Sequence, residues 1–211
     1  MSNARLVAFK ALIKVNHDNG YSNLVINHAI KNSDLSSLDA SLATLIFYGV
    51  LERKITIDYI ISLYSKIPLK KLSKDVVEIL RIGVYQILYM DKIPDSAAVN
   101  ECVKLAKANK NYKSSGFINA VLRNIIRKYK LDSKNKNDEL ANKVDILDFQ
   151  TEDHIKFLSL KYSCSEWLVK MWIESYGERA TQEILKSTLG RPNLIARVNT
   201  LKNSPEELIH K

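Results

Sequence analysis

Residues 73–90 form the most apolar stretch of the chain, and they constrain its fold more than any other segment. Its apolar side chains leave little polar surface in any direction: Val76, Val77, Ile79, Leu80, Ile82, Val84, Tyr85, Ile87 and Leu88. A helix that is apolar on nearly all sides is usually buried among several neighbours. The sequence therefore predicts a helical domain built around a central helix at 73–90.

Amphipathic periodicity predicts further helices on both sides of this segment. The bundle helices are expected at about 4–15, 22–31, 39–54, 55–64, 95–109 and 116–130. Ser115 is expected to cap the last of them, and Leu45 to lie on the inward face of the third. The polar run 131–145 lacks a usable period, which predicts a linker. Helices are expected again at about 152–161, 166–176 and 178–188, with Ser165 as a cap and Gly177 as a stop.

The last twenty residues differ in character from the rest. Residues 194–199 are typical of a strand, and the run Ser204-Pro205-Glu206-Glu207 is typical of a helix start. A lone strand has unpaired backbone groups on both edges. We therefore expect an all-α chain whose final strand-helix unit begins an α/β subdomain that is cut short. The alternative is a C-terminal arm that pairs with a second copy.

Charge is distributed unevenly along the chain. Residues 1–130 carry 20 basic and 10 acidic side chains, whereas residues 131–211 carry 12 basic and 13 acidic ones. The stretch 102–130 alone holds eight Lys or Arg and no Asp or Glu. This segregation indicates a polyanion-binding module joined to a second part of different character.

The basic residues supply the candidate binding site. Lysines recur every three positions from Lys104 to Lys113, and further cations follow up to Lys130, with Tyr112 and Asn119 interleaved. Repeated cations with an aromatic and an amide suit RNA, although most lysine runs are simply solvated helix faces. Arg5 opposes the dipole of the first helix, so it either has an outside partner or faces solvent. The candidate RNA contacts are Arg5, Lys10, Lys14, Lys104, Lys107, Asn119, Arg123 and Arg127.

The chain offers no catalytic or metal site of its own. Cys102 lies on an apolar helix face and is expected to be a buried, inert thiol, and Cys164 is expected to have a structural or incidental role. The four histidines lack metal-ligand spacing. Trp167 and Trp172 are expected in a core rather than on a stacking surface. The two cysteines and the lack of a membrane-length apolar run predict a cytoplasmic protein.

Several motifs in order resemble the NusB-like RNA-binding domain over about residues 4–130. They are 80–88 (LRIGVYQIL), 93–94 (IP), 97–103 (AAVNECV) and 116–123 (GFINAVLR), preceded by Arg5 with Ala8 and by 48–51 (YGVL). The resemblance implies an all-helical bundle that binds RNA.

The second half resembles the region that follows this domain in the Sun/Fmu family. The matching residues are 162–163 (YS), 167–169 (WLV), Trp172, 176–177 (YG) and 197–202 (RVNTLK). The resemblance implies a parent enzyme that methylates carbon 5 of a cytosine in small-subunit ribosomal RNA, with S-adenosylmethionine as cofactor. Cys164-Ser165 departs from the His-Pro that the family often has at this point.

The resemblance also implies that the catalytic machinery lies elsewhere. The family's catalytic cysteine follows a proline in a C-terminal domain, and neither Cys102 nor Cys164 follows a proline. No catalytic, cofactor-binding or metal residue is therefore assigned, and this chain alone is expected to be inactive and to bind no cofactor.

Together these observations predict four segments. Residues 1–130 form the RNA-binding domain, 131–150 a linker, 151–190 a helical connector, and 191–211 the start of the methyltransferase N-terminal subdomain. The expected partner is ribosomal RNA, with no membrane; a homodimer is possible but not indicated. Two alternatives remain open: a non-enzymatic NusB-like antitermination factor with an added arm, and a helical adaptor for an acidic protein.

Overall fold

A computed structural model describes residues 3–130, 149, 151–189, 197–199, 201–202 and 204. Its helices are α1 (Ala4–His17), α2 (Ser22–Lys31), α3 (Ser37–Glu52), α4 (Lys54–Tyr64), α5 (Lys74–Tyr89), α6 (Asp95–Ala108), α7 (Tyr112–Lys130), α8 (His154–Tyr162) and α9 (Glu166–Thr188). This confirms the predicted helical architecture. The described residues contain no strand, and 194–196 of the predicted strand lie outside them. The predicted helix start at 204–207 also lies outside them, apart from Ser204.

Helix α5 lies at the centre of the bundle, as its composition predicts. Every residue from 76 to 88 is buried. The helix packs against α1, α3, α4, α6 and α7. Its start is set by Ser73, whose side chain accepts a hydrogen bond from the backbone N–H of Val76 at 3.4 Å.

Two glycines allow the helices to approach α5 closely. A Cβ on Gly49 of α3 would lie 1.9 Å from the ring of Tyr85. A Cβ on Gly83 of α5 would lie 2.6 Å from Leu122 of α7. Real side-chain atoms do not approach this closely, so these positions exclude any larger residue without repacking.

The central helix also buries two charged side chains. Arg81 donates two hydrogen bonds of 2.7 Å to the carboxylate of Asp58 on α4, and a third of 2.5 Å to Glu78. Asn16 and His17 at the end of α1 contact the same oxygen of Glu78 at 3.1 Å. A buried charge requires such partners, so the network fixes α5 relative to α1 and α4.

Helix α8 packs on the bundle through α4. The hydroxyl of buried Thr56 donates to the backbone carbonyl of Leu160 at 2.6 Å. The backbone N–H of Ile55 donates to the hydroxyl of Ser163 at 3.1 Å. Phe149 contacts Tyr59 of α4, with ring centroids 5.8 Å apart. A separate small core joins α8 to α9: Leu158, Tyr162, Val169 and Leu185.

Three sequence expectations about local structure are wrong. Helix α7 begins at Tyr112, so Ser115 lies inside it and its hydroxyl donates to the carbonyl of Tyr112 at 2.7 Å. Leu45 is 45% exposed because α3 buries Ala43, Ile46, Phe47 and Val50 instead.

The third wrong expectation concerns helix α9. Trp167 lies in its first turn and is 68% exposed, whereas Trp172 packs against the small core as expected. Gly177 has a non-helical backbone, with φ 77° and ψ 168°, and two helical segments meet there at a kink, as predicted for 166–176 and 178–188. Ser165 occupies the predicted cap position, but its side chain makes no capping hydrogen bond.

Candidate nucleic-acid interface

Helices α6 and α7 form a helical hairpin with one apolar side and one basic side. The apolar side is buried against α5: Ala98, Val99, Cys102, Leu105, Ala106, Ile118, Val121, Leu122 and Ile125. The basic side chains are exposed: Lys104, Lys107, Lys110, Lys113, Arg123, Arg127 and Lys128. We call these seven residues the basic face. Apolar and basic residues recur along α6 and α7 with the 3.6-residue period of a helix, and this periodicity separates the buried side from the exposed side.

A single stripe runs along the outside of α7. Tyr112, Gly116, Asn119, Arg123 and Arg127 follow one another at steps of four, three, four and four residues. At about 100° per residue, these steps keep the five positions within about 80° of one another. The structure therefore brings three of the sequence candidates, the Asn and the two Arg, onto one surface.

Among the described residues, no carboxylate pairs with Arg123. Its Nε donates to the Oδ1 atom of Asn119 at 2.9 Å. Neither Arg123 nor Arg127 forms an ion pair with a residue that the structure describes. Within the described part of the chain, the outer surface of α7 therefore keeps its positive charge.

Lys104 differs from its neighbours on α6. Its ammonium forms an ion pair of 2.8 Å with Glu101, and Asn3 donates to the other oxygen of that carboxylate at 3.2 Å. The hydrogen bond from Lys104 is the main cause that holds the pKa of Glu101 below its usual value. Lys107 has no such carboxylate within the described ranges. Lys104 is consequently the weaker of the two candidate phosphate contacts.

Arg5 has a partner inside the protein. Its Nε donates to the side-chain oxygen of Gln86 at 2.7 Å, and Gln86 in turn donates to the carbonyl of Ile82 at 3.0 Å. Arg5 is half-buried as a result. The sequence left two alternatives for Arg5, a partner outside its own helix or free solvation. The structure supports the first, because Gln86 lies on α5.

Lys10 and Lys14 are exposed, but they do not join Arg5. They lie five and nine residues further along α1, which places them about 140° and 180° around the helix from Arg5. Arg5 is instead next to α6, because Asn3 bonds Glu101 there. The three candidates on α1 therefore do not form one site.

The cysteines carry no sign of reactivity. Cys102 is fully buried, as predicted, and burial raises the pKa of its thiol to about 12. Burial also raises the pKa of half-buried Cys164. No group of side chains suited to a metal ion occurs among the residues described. No described helix has both the length and the apolar character needed to cross a membrane.

In its described residues, the protein belongs to the class of helical bundles built around a buried central helix. The hairpin of α6 and α7 gives this bundle an exposed cationic surface. A model of the NusB family matches residues 2–127, and the chain belongs to that family. A second model, described as "Methyltr_RsmF/B-like, ferredoxin-like domain", matches residues 164–211. The two matches confirm the resemblances found in the sequence.

Named relatives fall into two groups. Probable ribosomal RNA small subunit methyltransferase B of Bacillus subtilis is 35% identical over 208 residues, which is 99% of this chain and 43% of the relative. The protein of that name from Synechocystis is 33% identical over the same shares. Transcription antitermination protein NusB of Acetivibrio thermocellus is 31% identical over 136 residues, 64% of this chain and 93% of that protein. This chain thus spans less than half the length of the methyltransferase relatives.

The fold also occurs in a solved structure. The crystal structure of PH0851 superposes with a TM-score of 0.63 over 100% of this chain and 44% of that one, at 18% sequence identity. The similarity shows a shared fold, which agrees with the predicted NusB-like helical architecture.

Sequence reasoning overlooked two features of the surface. Glu101 and Lys104 are three residues apart on one helix, a spacing at which opposite charges commonly pair. That pairing could have been foreseen. Tyr112 was placed before α7, so its position at the head of the Asn119 stripe appeared only in the structure.

Proposed function

We propose that this chain is the RNA-binding N-terminal region of a ribosomal RNA methyltransferase. The parent enzyme would methylate carbon 5 of a cytosine in 16S ribosomal RNA. The relatives named ribosomal RNA small subunit methyltransferase B support this, because they match 99% of the chain. Within it, residues 1–130 would bind RNA, 151–190 would connect, and 191–211 would begin the methyltransferase N-terminal subdomain. The cytoplasm, where ribosomes assemble, is the compartment this function requires.

One observation carries the RNA-binding part of the proposal. The basic face holds seven exposed cations, and only Lys104 among them is paired with a carboxylate in the described structure. An RNA backbone is the natural partner for such a surface, because each phosphate contact releases condensed counterions. Arg123 and Arg127 lie on α7, with Asn119 one turn before Arg123, and Lys107 lies at the end of α6.

The chemistry is assigned to the rest of the parent. S-adenosylmethionine and the catalytic cysteine would lie in the part of the enzyme that these 211 residues do not include. We expect no methyl transfer to ribosomal RNA from this chain alone, even with the cofactor present. Measured turnover by the isolated chain would contradict the proposal.

A salt titration tests RNA binding directly. Affinity for a 16S ribosomal RNA fragment is measured at several salt concentrations for the chain and for Arg123→Ala. Loss of one phosphate contact should lower the slope of log affinity against log salt by about 0.7 to 0.9. Lys31→Ala is the matched control, because Lys31 is exposed on α2, away from the basic face. An affinity that does not change with salt would defeat the proposal.

A second candidate function is a non-enzymatic RNA-binding factor of the antitermination type. The observation in its favour is the match to 93% of the Acetivibrio thermocellus NusB protein. The parent reading frame decides between the two. A continuation beyond Lys211 with a Rossmann-type cofactor domain and a Pro-Cys pair would establish the methyltransferase.

A further inference from the structure

The surface at the start of α7 carries an exposed aromatic ring. Tyr112 is 65% exposed. Among the described residues, no aromatic ring packs against it and no cation lies over its face. Exposed lysines stand on both sides of it in the chain, at 110 and 113. A large ring that is exposed without packing is available to a ligand that has an aromatic face of its own.

The turn that presents Tyr112 is held in place by hydrogen bonds. The side chain of Asn111 donates to Asp75 on α5 at 3.0 Å and to the carbonyl of Asn109 at 3.1 Å. The backbone N–H of Asn111 donates to the carbonyl of Ala106 at 2.9 Å. Lys110 reverses the chain in the left-handed region, at φ 61°. The backbone immediately before Tyr112 is thus anchored to both α5 and α6, so the ring is not carried on a loose loop.

One helical turn beyond Tyr112 the surface is open. Gly116 has no side chain, and a Cβ built there would meet nothing within 4 Å. At a rise of 1.5 Å per residue, Gly116 lies about 6 Å and Asn119 about 10 Å along α7 from Tyr112. The stripe therefore contains an aromatic ring, then a bare stretch of helix, then an amide. Arg123 and Arg127 continue it.

We propose that Tyr112, Gly116 and Asn119 form a seat for one unpaired base of single-stranded RNA. The base stacks on the Tyr112 ring and covers the bare helix at Gly116. The amino group of Asn119 donates to an acceptor on the edge of the base, since its oxygen is already used by Arg123. The arginines contact the adjoining phosphates. The inference rests on the proposed RNA binding and specifies the form of RNA that binds.

Single strands are favoured over duplex RNA for a geometric reason. In a duplex both faces of each base are stacked on neighbours, and proteins reach mainly the backbone and the shallow groove. A side chain that stacks on a base needs that base to be unpaired. The carboxylates of an acidic protein would contact the cations, but a carboxylate does not stack on the Tyr112 ring.

The test compares RNA with and without bases. Binding to the 211-residue chain is measured for a labelled oligoadenylate of about 12 nucleotides, within the range of single-strand sites. A base-free ribose-phosphate oligomer of the same length serves as the second probe. We expect Tyr112→Ala to weaken oligoadenylate binding roughly five- to 150-fold, and base-free oligomer binding less than about twofold. Tyr112→Phe should bind as the original does.

Two further variants separate stacking from folding. Gly116→Leu fills the bare stretch of helix with a side chain, so it should weaken oligoadenylate binding. Because Leu has a higher helix propensity than Gly, the variant should remain folded by circular dichroism. Tyr176→Ala removes another tyrosine, 63% exposed on α9, and should have no effect. The inference is overturned if Tyr112→Ala changes both probes equally, changes neither, or is matched by Tyr176→Ala.

The failure of this inference is distinguishable from the failure of the proposed function. If the chain binds 16S ribosomal RNA through Arg123 and Arg127 but Tyr112→Ala binds oligoadenylate normally, only the base seat is refuted. Polyglutamate serves as a probe for an acidic protein partner. If the chain binds polyglutamate but binds no RNA at low salt, both proposals fail and an acidic protein partner is indicated.

Discussion

The contact between α4 and α8 makes a quantitative prediction about stability. Arg53 serves as the C-cap of α3 and the N-cap of α4, and its side chain caps neither end. The first N–H groups of α4 therefore need a partner from outside the helix. Ser163 supplies one by accepting a hydrogen bond from Ile55. The hydroxyl of Thr56 on α4 donates a second hydrogen bond between the two helices, to the carbonyl of Leu160 near the end of α8.

Replacing Thr56 with Val tests the buried one of these two hydrogen bonds, from Thr56 to Leu160. Val has nearly the same shape, so the change removes the hydroxyl without leaving a large cavity. The carbonyl of Leu160 then loses this partner within a buried contact, which costs about 1–3 kcal/mol. Ser163→Ala removes the cap of α4 and should cost about 0.5–2 kcal/mol. Because both bonds hold the same two helices together, the double variant should lose less than the sum.

The assay is urea unfolding followed by circular dichroism, with hydrogen exchange to locate the change. Thr56→Val should lower the unfolding free energy and speed exchange in α8. Thr44→Val is the matched control: the Thr44 hydroxyl bonds only within its own helix, to the carbonyl of Ala40 at 2.8 Å. If Thr56→Val unfolds at an unchanged urea concentration and α8 exchanges at its original rate, the reasoning is refuted.

Two other predictions follow from packing and burial. Gly49→Ala should destabilise the bundle by about 1–3 kcal/mol, because its Cβ would overlap the ring of Tyr85. Gly116→Ala, in open space, should stabilise it by about 1 kcal/mol. Melting temperatures that shift in the same direction would contradict this contrast. At pH 8 a thiol reagent should leave Cys102 unmodified until the chain unfolds, because burial raises its pKa to about 12. Rapid labelling of Cys102 in the folded chain would refute that expectation.

The sequence alone determined the architecture of the bundle and the location of its charge. Helix α5 was predicted as the central helix because residues 76–88 are apolar on almost every side, and only a position among several helices satisfies that pattern. The basic face was predicted because the cations of α6 and α7 recur at helical spacing without acids between them. Both inferences use periodicity, which is a property of neighbouring residues.

The tertiary structure decided which polar groups meet across the bundle. Arg5 bonds Gln86, and Ser163 caps a helix that begins more than 100 residues earlier in the chain. Helix periodicity shows which side of a helix is polar, but it carries no information about which other helix lies opposite. That depends on how the helices pack, and so the partner of Arg5 and the docking of α8 could be established only from the folded molecule.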